Sequence, residues 1–277
     1  MICHTISADK SVATFHTVPM IALTKEQAKD VRTRLTDGCG KLKSMIEGLL
    51  DSQGRVADEV HAIRKLGKSL RGGCALLGLH KNAGRELQCI GRLLSSPRDA
   101  VARLETWNKL GWDEDKNVAA AIRALLEQGT HAAARRPPRE TADWCLARVD
   151  KALKKIEALD AADLADRASA GFRKLDKRAF KRCRKLDRRR ADDFHQTRKA
   201  LKAWLGAVDY LPAESSPYDP GFHGLAKQLG DENDLATLSL WLDGHGFTRR
   251  FAPGLWHAIE RNRKDLQLTA VAAATAL

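Results

Sequence analysis

Apolar residues recur at three- and four-residue spacing along almost the whole chain, and alternating β-branched runs are absent, so the pattern predicts an all-α protein. Thr24 with Gln27 has the form of a capping box and opens a helix over about 25–52. The next helices are expected over about 56–79, 82–94 and 97–110, the last with Ser96 as N-cap and Pro97 at its first position. A helix over about 114–135 stops at the breaker Arg136-Pro137-Pro138. Beyond it the period predicts helices over about 139–159, 162–190, 192–211, 221–229, 231–243 and 253–275.

The polar positions repeat as well as the apolar ones. His61, Arg64, Lys65 and Lys68 return as His195, Arg198, Lys199 and Lys202 at a constant offset of 134. Each histidine follows an acidic pair and one apolar residue, Asp58-Glu59-Val60 and then Asp192-Asp193-Phe194. Leu93 to Val101 matches Gln228 to Ala236 at an offset of 135, which sets Arg98-Asp99 opposite Asn233-Asp234. With basic residues at about one position in six, three further matches around aligned histidines arise by chance about once in 200. The chain therefore divides into an N-terminal segment, 1–23, whose order the pattern leaves open, and a unit over 24–277. Its first repeat covers about 24–136 and its second about 137–277.

Charge gives the repeat a direction. On a helical wheel His61, Arg64, Lys65 and Lys68 share a sector of roughly 100 degrees, opposite Ile63, Leu66, Leu70, Cys74 and Leu77. In the second copy Thr197, Leu201, Trp204 and Val208 form the apolar stripe. An ordinary solvated face would account for one such helix, but solvation does not require the same residue types at the same places twice. The formal net charge is +13, from 48 Lys and Arg against 35 Asp and Glu, and it favours a polyanionic partner. The segment Phe172 to Arg190 holds eleven basic residues against two acidic ones while Leu175, Ala179, Cys183 and Leu186 keep a core stripe. Lys174, Lys177, Lys181, Arg184, Lys185 and Arg188 there make a second candidate rail of cations, although a solvated face accounts for it equally well.

Other chemistry has less support. The six cysteines show no CxxC or Cys/His ligand spacing and read as small apolar residues of a reducing cytoplasm. No secretory leader and no run of 18 apolar residues is present, so neither secretion nor membrane insertion is expected. Cations around His61 and His195 disfavour a metal there, and no cofactor motif, paired catalytic carboxylates, GxSxG elbow or Gly-rich phosphate loop occurs. Asp99 and Asp234 stand three residues after Ser96 and Asp231, where a carboxylate completes a helix cap. Capping is the favoured role, and they could additionally orient the arginines of the basic stripes. Arg98 is a candidate to join an anion site.

The motifs HxxRxxxKxxR from His61 to Arg71, HxxRxxxK from His195 to Lys202 and LGxxND from Leu229 to Asp234 resemble the signatures of the CHAD domain, the conserved histidine α-helical domain. The resemblance extends over about 25–275 and departs at Ser95, where the first copy would have glycine, and at Leu205, where the second would have a last basic residue. It implies two pseudo-symmetric antiparallel helical bundles forming one unit around a basic central groove or pore. It further implies non-catalytic binding of inorganic polyphosphate, or another phosphate-rich polyanion, at cytoplasmic granules and without a fused triphosphate-processing domain. Carried over by position, His61, Arg64, Lys68 and Arg71 with His195, Arg198 and Lys202 would line that groove. Two other readings stay open: a nucleic-acid-binding helical protein, and an enzyme that carries phosphohistidine or processes polyphosphate.

Overall fold

The computed structural model describes residues 21–51, 54–217 and 220–277, and all regular structure among them is helical. The N-terminal segment up to residue 20, including Cys3, lies outside the described residues. Ten α-helices follow in order: α1 Lys25–Asp51, α2 Val56–Leu76, α3 Ala83–Leu93, α4 Ser95–Leu110, α5 Lys116–Ala133, α6 Arg139–Glu157, α7 Leu164–Arg184, α8 Ala191–Val208, α9 Pro220–Gly244 and α10 Pro253–Ala276.

Local chemistry sets several of these ends. The capping box at α1 forms as expected: the Thr24 amide donates to Gln27 Oε1 at 2.9 Å and the Gln27 amide to Thr24 Oγ1 at 3.2 Å. Asp115 caps α5 by accepting from the amides of Asn117 and Val118. Gly111 ends α4 at φ 61°, a conformation open to a residue without Cβ.

Three expectations are corrected. The basic helix stops at Arg184, not near 190. Cations in the last turn suit a helix C-terminus, and the chain then turns so that Leu186 enters the core while Asp187 Oδ1 accepts from the Arg189 amide at 2.9 Å. The two helices expected around Gly230 are one, α9, because Leu225, Leu229, Leu235 and Leu238 bury a continuous stripe that outweighs the cost of a mid-helix glycine. Asp231 is accordingly interior to a helix and caps nothing. Ser96 is not an N-cap either, since α4 begins at Ser95 with only Leu94 separating it from α3, and no side-chain cap bond forms.

Two hydrophobic cores hold the helices together. The larger takes apolar residues from α1, α2, α3, α6, α7 and α8, with the start of α9 and the end of α10. The smaller joins Trp107 and Trp112 to Ile122 and Leu126 of α5, Leu238 and Leu242 of α9, and Leu255 and Ile259 of α10. Both cores draw on both sequence repeats. α6, which follows the proline pair, packs on α1 and α3, where Lys43 meets Asp150 at 2.7 Å and Glu86 meets Arg148 and Lys155 at 2.8 Å each.

Candidate functional site

The fold presses the two histidine helices against each other. A Cβ added to Gly72 of α2 would lie 2.2 Å from the carbonyl carbon of Gly206 of α8, so the backbones touch where neither has a side chain. These glycines stand at the same offset of 134 as the histidines. Equivalent positions of the two motifs thus meet at the crossing.

Burial decides where the cations face. On α2, Val60, Ile63, Leu70 and Cys74 are buried, whereas His61, Lys65 and Lys68 are exposed and Arg64 and Arg71 half-buried. On α8, Phe194, Thr197, Leu201, Trp204 and Val208 are buried, and the Trp204 indole donates to Asp176 Oδ1 at 3.1 Å. Lys199 and Lys202 are exposed there, with His195 and Arg198 half-buried.

Lys68 is where the two stripes meet. Burial, then Arg64, Arg198, Lys202 and Arg71, bring its ammonium down to about 8. Arg198 and Lys202 belong to α8, so charges from both motifs share one field. Lys202 is lowered by burial and by Arg198, with Asp234 acting in the opposite sense. Both lysines reach solvent although dense protein surrounds them, which is the setting of a concave surface. His61 is lowered by burial and then by Arg98, Lys68 and Lys65, against a smaller opposing effect of Glu105.

Of the two aligned aspartates, Asp99 orients an arginine and caps no helix, while Asp234 accepts from Asn233 Nδ2 at 3.5 Å. Arg64 donates from Nη1 to Asp99 Oδ1 at 3.0 Å and to the Ser95 carbonyl at 2.9 Å. Arg98 pairs with Glu105 of its own helix at 2.9 Å. In the second motif the holder is an amide: His195 Nδ1 lies 3.0 Å from Asn233 Oδ1, so the ring N–H donates to it. Arg198 has a buried Nε with no hydrogen-bond partner, beside the open side of Gly230. The acidic residues ahead of each histidine are matched too, with Glu59 3.5 Å from Arg136 and Asp193 3.9 Å from Arg182.

The candidate rail on α7 is not part of this cluster. Lys177, Lys181 and Arg184 are exposed on α7, Lys185 is its C-cap, and Arg188 lies in the turn beyond, so the helical rail breaks at Arg184. None of the five is among the charges that act on Lys68, Lys202 or His61.

Three polar residues escaped sequence reasoning. Gln88 and Arg92 of α3, with Arg64, Lys68 and Arg71 of α2, line a pocket of about 160 Å³ between the two helices. The repeat carried a signal for Arg92 that went unread, because the downstream match begins at Leu93 and the residue just before it, Arg92, stands opposite Lys227 at the same offset of 135. Arg103 of α4 is half-buried with its Nε unpartnered and its guanidinium 5.9 Å from the Trp241 ring. A basic residue on the buried side of α4 was its one sequence signal. Among the described residues no group of three or more His, Cys, Asp or Glu could hold a metal ion, and no helix is long and apolar enough to cross a membrane.

Fold and site together define an all-helical protein whose two motif helices cross at paired glycines and share one cationic field. The CHAD domain model matches residues 34–243, and the chain belongs to that family. The CHAD domain from the plant Ricinus communis is similar at a TM-score of 0.64 with 18% identity, over 93% of this chain and 95% of that one. PptA from Streptomyces chartreusis is similar at a TM-score of 0.55 with 15% identity, over 90% and 96% respectively. At such identities the likeness is one of fold. No curated protein matches the chain.

Proposed function

We propose that the chain binds inorganic polyphosphate, without catalysis, along a groove between the cations of α2 and α8, in the cytoplasm at polyphosphate granules. The observation that carries this reading is Lys68, an ammonium pressed by four cations drawn from two helices. Such crowding is unfavourable in the free protein and is relieved when phosphates sit over it. Membership of the CHAD family, whose role is polyphosphate binding, supports the same ligand.

The residue types suit a phosphate chain. Arg64, Arg71 and Arg198 offer planar forks to two oxygens, Lys65, Lys68, Lys199 and Lys202 offer mobile point charges, and each contact expels condensed counterions. One exposed pair contributes at most about 1 kcal/mol, so affinity depends on many contacts held in register by rigid helices. The exposed cations of α7 steer the polymer toward the groove at low salt and make no groove contacts.

Titration of long-chain polyphosphate into wild type and a Lys68→Gln, Arg198→Gln double variant tests the reading. The variant is expected to bind on the order of 100-fold more weakly, with a smaller salt slope. Displacement of polyphosphate by duplex or single-stranded nucleic acid at equal phosphate concentration would turn the assignment to nucleic acid. Orthophosphate release from pure protein with magnesium would overturn its non-catalytic part.

A further inference from the structure

The pocket between α2 and α3 is lined by no residue of the second motif. Its rim carries Arg64, Lys68, Arg71 and Arg92, its floor is made by Ile63, Leu87 and Ile90, and no carboxylate lines it. Arg92 acts electrostatically on Arg71, so the two guanidiniums share the space. Gly67 of α2 and Gly91 of α3 both line it, and a Cβ on either would meet nothing within 4 Å. The missing side chains therefore leave a hole and are not required for close packing. The aligned positions of the second motif do not keep this hole, since Leu205 stands opposite Arg71, Leu201 opposite Gly67 and, at the downstream offset of 135, Ala226 opposite Gly91, although Lys227 stands opposite Arg92.

A volume of about 160 Å³ is close to that of a cavity that holds a single benzene ring. A space of that size suits one phosphoryl group better than a run of several. A terminal phosphoryl presents three free oxygens and more charge than an internal one, and four cations around one small pocket suit that group. Resting on the polyphosphate reading, we propose that the α2–α3 pocket captures the end of the chain, so that the polymer lies in the groove with one terminus anchored at Arg92.

Long-chain polyphosphate with free ends, and the same polymer with both ends blocked as phosphoramidates, separate the possibilities. The free-ended chain is expected to bind about tenfold more tightly, and Arg92→Gln should remove that advantage while leaving the blocked chain unaffected. Gly91→Leu fills the pocket without changing charge and should act as Arg92→Gln does. Inorganic orthophosphate should compete weakly with free ends and not at all with blocked ones. Equal binding of blocked and free polymers, with both still sensitive to Lys68→Gln, would overturn end capture and leave the groove standing. Failure of either polymer to bind would overturn the groove itself.

Discussion

The first and second histidine motifs carry the same cations on the same helical face, yet the protein restrains them in opposite ways. In the first, a carboxylate holds the arginine: Asp99 pairs with Arg64, and His61 stands exposed under the repulsion of Arg98, Lys68 and Lys65. In the second, an amide holds the histidine: Asn233 accepts from His195, and the Nε of Arg198 is left without a partner. The histidine's holder traces to one aligned position, Arg98 in the first copy and Asn233 in the second, whereas the arginine's holder does not, since Asp99 has Asp234 opposite it. Duplication has supplied two similar sets of charges, of which one has a fixed arginine and the other a fixed histidine.

Five substitutions sharpen or break this contrast. The largest effect is expected where the motifs share a fate: Gly72→Val drives a side chain into the Gly206 backbone and should destabilise the protein by about 3 kcal/mol or more, read by denaturant unfolding. Polyphosphate affinity should fall with it, and unchanged stability would show that the crossing yields. Next, Asp99→Asn frees Arg64 and deletes a negative charge, so affinity should rise by about threefold to tenfold in a binding titration. Asn233→Ala should do the opposite by about twofold to fivefold, because His195 loses the acceptor that sets its orientation. Like signs for these two would erase the asymmetry.

The smallest effect is the pH response. His61 is held below its ordinary value in the free protein, and phosphates over it favour the charged form, so binding takes up a proton. Affinity should then rise as pH falls from the value His61 adopts in the complex toward its lowered value in the free protein, and level off below that. Lys68 has the same sign at higher pH: its ammonium is at about 8 in the free protein, and affinity should decline as pH climbs above that. His61→Ala should flatten the acid limb more than His195→Ala, and identical profiles across pH 6 to 8 would refute the link.

Much of this was readable from the chain before any coordinates. The periodicity of α1, α2, α6 and α8 gave their ends to within a few residues because each buries an unbroken apolar stripe. The offset between the histidines foretold that α2 and α8 belong together, and the paired glycines show how closely. The errors arose where tertiary packing overrode a local cue. Gly230 resembled a stop but sits inside α9, and Ser96 resembled a cap at a junction too tight to need one. Repeat matching finds only what both copies retain, so Arg103, opposite Leu238, was invisible to it, whereas Arg92, opposite Lys227, lay one residue outside the matched stretch.

α9 begins among Phe222, Leu225 and Leu229 in the larger core and finishes with Leu238 and Leu242 in the smaller one. A single rigid spar thus crosses from one packed interior to the other, carrying Asn233 at its midpoint beside the second motif. Loosening either interior should tilt that spar and shift the partner of His195, so a substitution in the smaller core is expected to be felt at the second motif.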